Sequence, residues 1–242
     1  MAQPVITLFT DFGITDPYVG QMHARIMADA PQARVIDLHH YAPAFNPGQA
    51  GLLLEALLPY LAPRMVVVGV VDPGVGTSRE ALVVETPEHW FVGPDNGLFA
   101  PLLERQGVRC YRMHAPGQGV LSASFHGRDL FAPVAAALSR GDRMVLDGLV
   151  DQPVRVESRR EEVLYVDHYG NLMTGLPVPA EGGRLRIEGR TVDFARTFGE
   201  VGPGELFWYR NSLDRVEIAA REGSAAKRLG AGTGTPVSWV SD

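Results

Sequence analysis

Met65-Val66-Val67-Val68-Gly69-Val70-Val71-Asp72-Pro73-Gly74-Val75-Gly76-Thr77-Ser78-Arg79 is the stretch that decides the fold class. Its first seven residues are apolar without alternation, as in a strand buried on both faces, and such strands belong to parallel sheets. The run ends on a carboxylate, and Pro73, Gly74 and Gly76 then force a tight turn with exposed backbone N–H groups, which Arg79 closes. In open α/β sheets ligands bind beyond the carboxyl ends of strands. Asp72 and Arg79 therefore suggest a site, with a turn-closing surface ion pair as the plainer alternative.

Outward from this strand, strand and helix signals alternate. Val5–Thr10 reads as a strand, Tyr18–Asp29 as a helix and Arg34–Leu38 as a second strand. An apolar helix follows over Gln49–Leu61, bounded by Pro47-Gly48 and Pro63. Ala81–Glu85 and Trp90–Val92 read as strands, Leu98–Gln106 as a helix ended by Gly107, and Asp129–Arg140 as a helix stopped by Gly141. On that last helix Leu130, Phe131, Val134, Ala137 and Leu138 share one face. The alternation predicts an α/β N-terminal domain, residues 1–152, with a largely parallel sheet flanked by helices. Beyond it, short strands at Val163–Val166, Arg184–Ile187, Leu206–Tyr209, Val216–Ala219 and Pro236–Val240, with turns such as Glu181-Gly182-Gly183 between them, predict a smaller all-β, barrel-like C-terminal domain over residues 153–242.

Composition narrows the function. The 242 residues are 45% hydrophobic and 21% charged, ordinary for a globular protein, and the net charge of −6 argues against a nucleic-acid partner. The densest basic pair, Arg159-Arg160, is flanked by Glu157, Glu161 and Glu162. No apolar stretch has membrane-span length, and Met1-Ala2-Gln3-Pro4 carries no basic leader signal. Cys110 is the one cysteine, which excludes an internal disulfide and a cysteine-built zinc site and points to the cytoplasm. Lys227 is the one lysine, so no Schiff-base lysine stands near the N-terminal motifs.

Several polar clusters fall at loop positions. Asp11 and Asp16, in Thr10-Asp11-Phe12-Gly13-Ile14-Thr15-Asp16, either accept bonds from ribose hydroxyls or bind a metal; Asp16 alternatively caps the helix that follows. Asp37, His39 and His40 allow a metal site, but adjacent histidines point apart on an extended backbone, which favours structural hydrogen bonding. Phe45, in a strand-to-helix loop, either stacks on a base or sugar or anchors the loop. Pro94-Asp95-Asn96-Gly97 reads as turn chemistry. His126, in Phe125-His126-Gly127-Arg128-Asp129, stands at a helix start whose dipole favours a neutral imidazole able to take a proton. Asp167-His168-Tyr169-Gly170-Asn171 and Asn211-Ser212 interrupt the β region with polar turns.

In order and approximate spacing, Thr10-Asp11-Phe12-Gly13, Val71-Asp72-Pro73-Gly74-Val75-Gly76, Arg79, Pro94-Asp95-Asn96-Gly97, Phe125-His126-Gly127-Arg128-Asp129, Gly170-Asn171 and Asn211-Ser212 resemble the S-adenosylmethionine hydroxide adenosyltransferase family, relatives of fluorinase and chlorinase. The resemblance implies hydrolysis of S-adenosyl-L-methionine to adenosine and methionine, with no metal or other cofactor. It implies a homotrimer whose substrate lies between the N-terminal domain of one chain and the C-terminal domain of its neighbour. By the same resemblance Asp72, Arg79 and His126 position and activate water. Asp11 and Asp16 supply ribose- and methionine-side carboxylates, Phe45 lies over the ligand, and Gly127 belongs to the same pocket. Asp167, Tyr169, Asn171 and Ser212 make the C-terminal-domain contacts, and Glu222 offers its backbone to adenine.

Two departures accompany the match: Leu213 stands where the halogenases carry Arg, and Ala220-Arg221 where they carry Arg-Asn. Halogenases replace the Asp and His of the water-handling set, since a carboxylate repels halide, and carry an insertion for which Ala81–Trp90 is too short. Hydrolysis is therefore the expected activity, ahead of halogenation, a non-catalytic nucleoside-binding module, or a metal-dependent phosphoesterase built on Asp11, Asp37 and His39.

Overall fold

The computed structural model describes residues 3–116, 121–180 and 182–240, so 1–2, 117–120, 181 and 241–242 lie outside the described residues, among them Met1, Ala2 and Glu181 of the stretches read above. Contacts group the chain into two compact units, Met1–Gly51 with Tyr60–Glu157, and Leu52–Pro59 with Ser158–Asp242.

The first unit contains β1 (Val5–Thr10), α1 (Tyr18–Asp29), β2 (Arg34–His39), the start of α2 (Pro47–Leu57), β3 (Val66–Val70), β4 (Ala81–Glu85), β5 (Trp90–Pro94), β6 (Arg109–Met113), α3 (Ala132–Ser139) and β7 (Leu146–Leu149). The strands form one sheet in the order β2-β1-β3-β5-β4-β6-β7. The first four are parallel, and β4, β6 and β7 extend the sheet antiparallel. A tight turn forces that change of direction: Thr86 N–H donates to the His89 carbonyl at 2.9 Å, and the Thr86 hydroxyl accepts from His89 N–H at 2.9 Å. β3 is buried throughout, as its unbroken apolar run requires.

On one sheet face Ile6, Leu8, Val66, Val68 and Val92 pack with Met22 and Ile26 of α1 and Val134 of α3. Helix α3 is buried from Ala132 to Leu138, so its single predicted apolar face is an understatement; the alanines let it sit fully inside. On the other face Gly69 and Gly93 lie against the Phe99 ring, and a Cβ on Gly93 would stand 2.3 Å from the Gly69 carbonyl oxygen.

The helix expected over Leu98–Gln106 is only a 3-10 turn at Ala100–Leu102. Pro101 lacks the N–H that a longer helix would use, and the Leu98 carbonyl is crowded against Gly51, where a Cβ would lie 2.4 Å away. Leu98, Phe99 and Leu102 are buried as core anchors instead.

The second unit is antiparallel. Strands β12 (Leu206–Arg210), β13 (Arg215–Ala220), β9 (Leu172–Pro177) and β8 (Val163–Val166) make one sheet, and β11 (Arg190–Val192), β10 (Leu185–Ile187) and β14 (Ser238–Trp239) a second. Leu172, Leu185, Ile187, Trp208 and Ile218 from the two sheets share a core with Val237, and the Trp208 indole donates to the Gly183 carbonyl at 2.7 Å. A short helix, α4 (Ala225–Leu229), interrupts the strands, with the Ser224 side chain as its N-cap and Gly230 in the left-handed conformation after it. Among the described residues no helix is long and apolar enough to cross a membrane.

Candidate functional site

The site begins where β3 ends. The Asn96 amide donates to the Val71 carbonyl at 2.9 Å while its own oxygen accepts from Leu98 N–H at 3.2 Å. Asn96 thus pins the strand end that presents Asp72, a role that reading Pro94–Gly97 as a plain turn missed. After Asp72 the chain turns through Val75 N–H to the Asp72 carbonyl and Thr77 N–H to the Gly74 carbonyl, at 3.3 and 3.1 Å. Gly76 has φ +78, and a Cβ there would stand 2.4 Å from the Ala123 carbonyl oxygen. Its glycine is required by the neighbouring loop, and Gly74 leaves room for the stem of Arg79.

The turn returns Arg79 onto Asp72. Nε donates to Oδ1 at 2.9 Å and Nη2 to Oδ2, a two-pronged ion pair with side chains 10% and 4% exposed. The same Nη2 lies 2.9 Å from Nδ1 of His126, and Nη1 donates to the Glu80 carbonyl at 3.1 Å. The Phe131 ring packs against both, 5.4 Å from the Arg79 guanidinium carbon and edge-on to the His126 ring at 6.4 Å. Asp72, Arg79 and His126 are thus one contiguous hydrogen-bonded set.

That contact fixes the imidazole. A guanidinium has only donors, so Nδ1 accepts and the neutral ring carries its proton on Nε2. Burial, and next the positive charge of Arg79, push His126 below its ordinary pKa, with Asp72 and Asp129 opposing more weakly. The neutral state expected from a helix start therefore has burial and Arg79 as its causes. Arg128 and Asp129 of the same motif are architectural: Asp129 accepts from Ser122 N–H at 3.0 Å, and Arg128 joins Asp129 to Gln21.

Asp72 and His126 open into a cavity of about 400 Å³ on the first unit, lined also by Asp11, Phe45 and Gly127. Asp11 accepts from Phe45 N–H at 3.2 Å, and its pKa is raised by burial and, more weakly, by the charge of Asp72. Phe45 is 79% exposed at φ +59, an uncommon backbone state for an aromatic residue held open to solvent. Tyr18, Phe12 and Phe125 add an aromatic wall, with ring centroids 5.4 to 5.9 Å apart. These rings were not among the expected site residues; Phe12 and Phe125 read only as parts of motifs. Asp16 lies outside the lining, on an exposed turn. It does not cap α1 either, since Pro17 occupies the N-cap with no side-chain bond.

Behind this cavity His40 is buried, with Nε2 3.0 Å from Asp37 Oδ1 and Nδ1 2.8 Å from the Thr10 hydroxyl, which accepts from Phe12 N–H at 3.2 Å. His23 also bonds Asp37, at 2.7 Å. Burial would raise the Asp37 pKa, but these two histidine hydrogen bonds outweigh it and lower it. Among the described residues no three His, Cys, Asp or Glu side chains are gathered as a metal site.

The remaining expected residues line a second cavity, of about 800 Å³, on the second unit: Asp167, Tyr169, Asn171, Ser212 and Glu222 all border it. Asp167 accepts from Asn171 N–H and from the Asn171 amide, at 2.8 and 2.9 Å, closing the β8–β9 turn. Gly170, at φ +86, has no room for a Cβ, which would meet the Ser224 hydroxyl at 2.0 Å. Asn211 holds the next turn by accepting from Leu213 and Arg215 N–H, and it donates to Glu217, which Tyr209 also binds. Glu217 and Tyr209, both in the lining, were invisible as site residues because they sit mid-strand.

The chain matches two family models in tandem, the SAM hydroxide adenosyltransferase N-terminal domain over residues 6–146 and the corresponding C-terminal domain over 161–238. It is 40% identical to a protein of Thermus thermophilus named (R)-S-adenosyl-L-methionine hydrolase, over 97% of this chain and 98% of that one. A protein of the same name from Salinispora tropica is 36% identical over 94% of each chain. Among solved structures, an uncharacterized conserved protein of Thermotoga maritima superposes with a TM-score of 0.87 at 32% identity, covering 98% of this chain and 100% of that one. Matched through both domains and nearly end to end, the chain belongs to the SAM hydroxide adenosyltransferase family.

Proposed function

We propose that this protein hydrolyses S-adenosyl-L-methionine to adenosine and L-methionine by attack of water on the ribose C5′. The observation that carries the reading is the Asp72–Arg79–His126 contact at the edge of the first cavity. The relatives' name specifies the R form of the sulfonium, and this chain takes the same substrate.

The leaving group departs as a neutral thioether, so the reaction calls on no general acid and no metal; the demand falls on the nucleophile. Water in the cavity meets Asp72 and His126, while Arg79 lies behind both. His126 Nε2–H donates to the water oxygen and orients its remaining lone pair. The Asp72 carboxylate accepts the proton, with Arg79 stabilising the charge beside it. The oxygen–C5′ bond forms as the C5′–S bond breaks, and the electron pair leaves on sulfur. Holding water in line with that bond supplies much of the rate.

Asp11 accepts bonds from the ribose hydroxyls, Asp16 serves the methionine side, and Phe45 and Gly127 bound the nucleoside. The family resemblance assigns a homotrimer in which the second cavity of a neighbouring chain completes each site; Asp167, Tyr169, Asn171, Ser212 and the Glu222 backbone then contact adenine and the methionine end. Two separately lined cavities support that division. The cytoplasm, where the substrate is made and a lone cysteine stays reduced, is the compartment this reading assigns.

The test incubates purified protein with each sulfonium epimer and follows adenosine and methionine by chromatography, with and without EDTA. Adenosine from the R epimer, unaffected by EDTA, supports the reading. Its absence, or a chloride-dependent 5′-chlorinated nucleoside, would overturn it.

A further inference from the structure

The turn that carries Asp11 is fastened from behind by side chains that the reaction itself does not use. Residues 10–13, at the end of β1, and residues 40–45, after β2, contribute Asp11, Phe12, Ala44 and Phe45 to the first cavity. Backbone bonds tie the two segments together: Gly13 N–H donates to the His40 carbonyl at 2.7 Å, and Ala42 N–H to the Thr10 carbonyl at 3.1 Å. Two buried polar side chains join the same seam, Thr10 with no exposed surface and His40 with 4%.

Their contacts have one consistent direction. A carboxylate only accepts, so the ring nitrogen beside Asp37 Oδ1, which is Nε2 at 3.0 Å, carries the proton of the neutral ring. Nδ1 is then an acceptor, and the Thr10 hydroxyl, 2.8 Å away, donates to it. The hydroxyl oxygen in turn accepts from Phe12 N–H at 3.2 Å. Asp11 lies between the two residues so joined. His23 of α1 holds Asp37 through the same oxygen, at 2.7 Å. These contacts run from α1 through the end of β2 to the Asp11 turn, all inside the first unit. A hydroxyl and an imidazole that merely satisfied each other could be exchanged for apolar groups of the same shape at little cost. What sets this pair apart is that it ends on the peptide next to a cavity-lining carboxylate.

Resting on the hydrolase reading above, we propose that His40 and Thr10 are positioning residues that aim the Asp11 carboxylate at the ribose hydroxyls, with Asp37 fixing the tautomer of His40. They touch no reacting atom. Their contribution is to binding of the ribose and not to the chemical step, so it falls on KM.

The experiment measures binding of adenosine and of 2′,3′-dideoxyadenosine by titration calorimetry, and steady-state turnover of S-adenosylmethionine. Thr10→Val keeps the side-chain shape and removes the hydroxyl, whereas Thr10→Ser keeps the hydroxyl. Thr10→Val is expected to weaken adenosine binding about tenfold, to leave dideoxyadenosine binding within about twofold, and to raise KM about tenfold with kcat within about threefold. Thr10→Ser, and His40→Asn, whose amide oxygen stands near the place of Nδ1, are expected to stay within about threefold of wild type. Unchanged adenosine binding in Thr10→Val, equal weakening of both nucleosides, or a Thr10→Ser as weak as Thr10→Val would overturn the proposal and leave the seam a purely structural one. No adenosine formed by the wild type would overturn the hydrolase reading, while the two nucleoside titrations still decide whether Thr10 acts through Asp11 on the ribose.

Discussion

Nη2 of Arg79 lies 2.9 Å from Nδ1 of His126 while the same nitrogen is bonded to Asp72. One guanidinium therefore sets both the charge beside the carboxylate and the tautomer of the imidazole. In the proposed mechanism the donor and acceptor roles at Asp72 and His126 follow from that single side chain.

Arg79→Lys keeps the charge but cannot span Asp72 and His126 together. The expected result is a fall in kcat of about 100-fold with a smaller change in KM. Steady-state kinetics check it, and near-normal turnover would show that charge alone suffices. Arg79→Ala leaves Asp72 buried without its partner and is expected to cost about 3 kcal/mol in urea unfolding.

The pH profile carries a sign. Protonating Nδ1 of His126 turns an acceptor into a donor and breaks its contact with Arg79. Because burial and the Arg79 charge hold the ring below its ordinary pKa, kcat is expected to stay level through neutrality and to fall only on the acid side. The midpoint should lie below about 6.5, the unperturbed imidazole value. A midpoint at or above that value contradicts the assignment of a neutral His126.

Gly76→Ala places a Cβ 2.4 Å from the Ala123 carbonyl oxygen at a backbone angle of +78°. A loss of about 2 kcal/mol or more is expected, together with lower activity as the turn shifts Arg79. Chemical denaturation and turnover measured together test the pair. A stable, fully active variant would mean that the turn does not set the Arg79 position.

Mixed oligomers test the division of each site between chains. Asp72→Asn disables the first cavity and Asp167→Ala the second, so each variant alone is expected to be nearly inactive. Co-expressed, they should recover about a quarter of wild-type sites, those that pair one intact half from each chain. No recovery from a verified mixed assembly would mean that each chain completes its own site.

Much of this architecture was legible because local signals agreed with one another. Val5–Thr10, Tyr18–Asp29 and Ala81–Glu85 are found with the boundaries that their periodicity and flanking residues predict. β9 was missed because Gly175 and Pro177 look like breakers. The glycine is there since a Cβ would stand 2.7 Å from the Arg160 backbone, and the proline sits at the strand end, opposite Arg215. Leu98–Gln106 misled in the other direction, because the buried Leu98, Phe99 and Leu102 recur at three- and four-residue intervals that imitate helical spacing.

The residues of the candidate site stand out in the sequence as motifs at loop positions, and their contacts do not. Nothing local in Pro94–Gly97 says that Asn96 holds Val71, twenty-five residues away in sequence. Nor does any spacing reveal that His40, read as structural, reaches the Thr10 hydroxyl beside the cavity. His40→Ala should therefore loosen the Asp11 loop, raising KM more than it lowers kcat.

The origin of the oxygen in the product tests the central claim most directly. Turnover in oxygen-18-enriched water, followed by mass spectrometry of both products, is predicted to place one heavy oxygen in adenosine and none in methionine. Adenosine without the label, or a nucleoside product bearing another atom at C5′, would contradict attack by water held between Asp72 and His126.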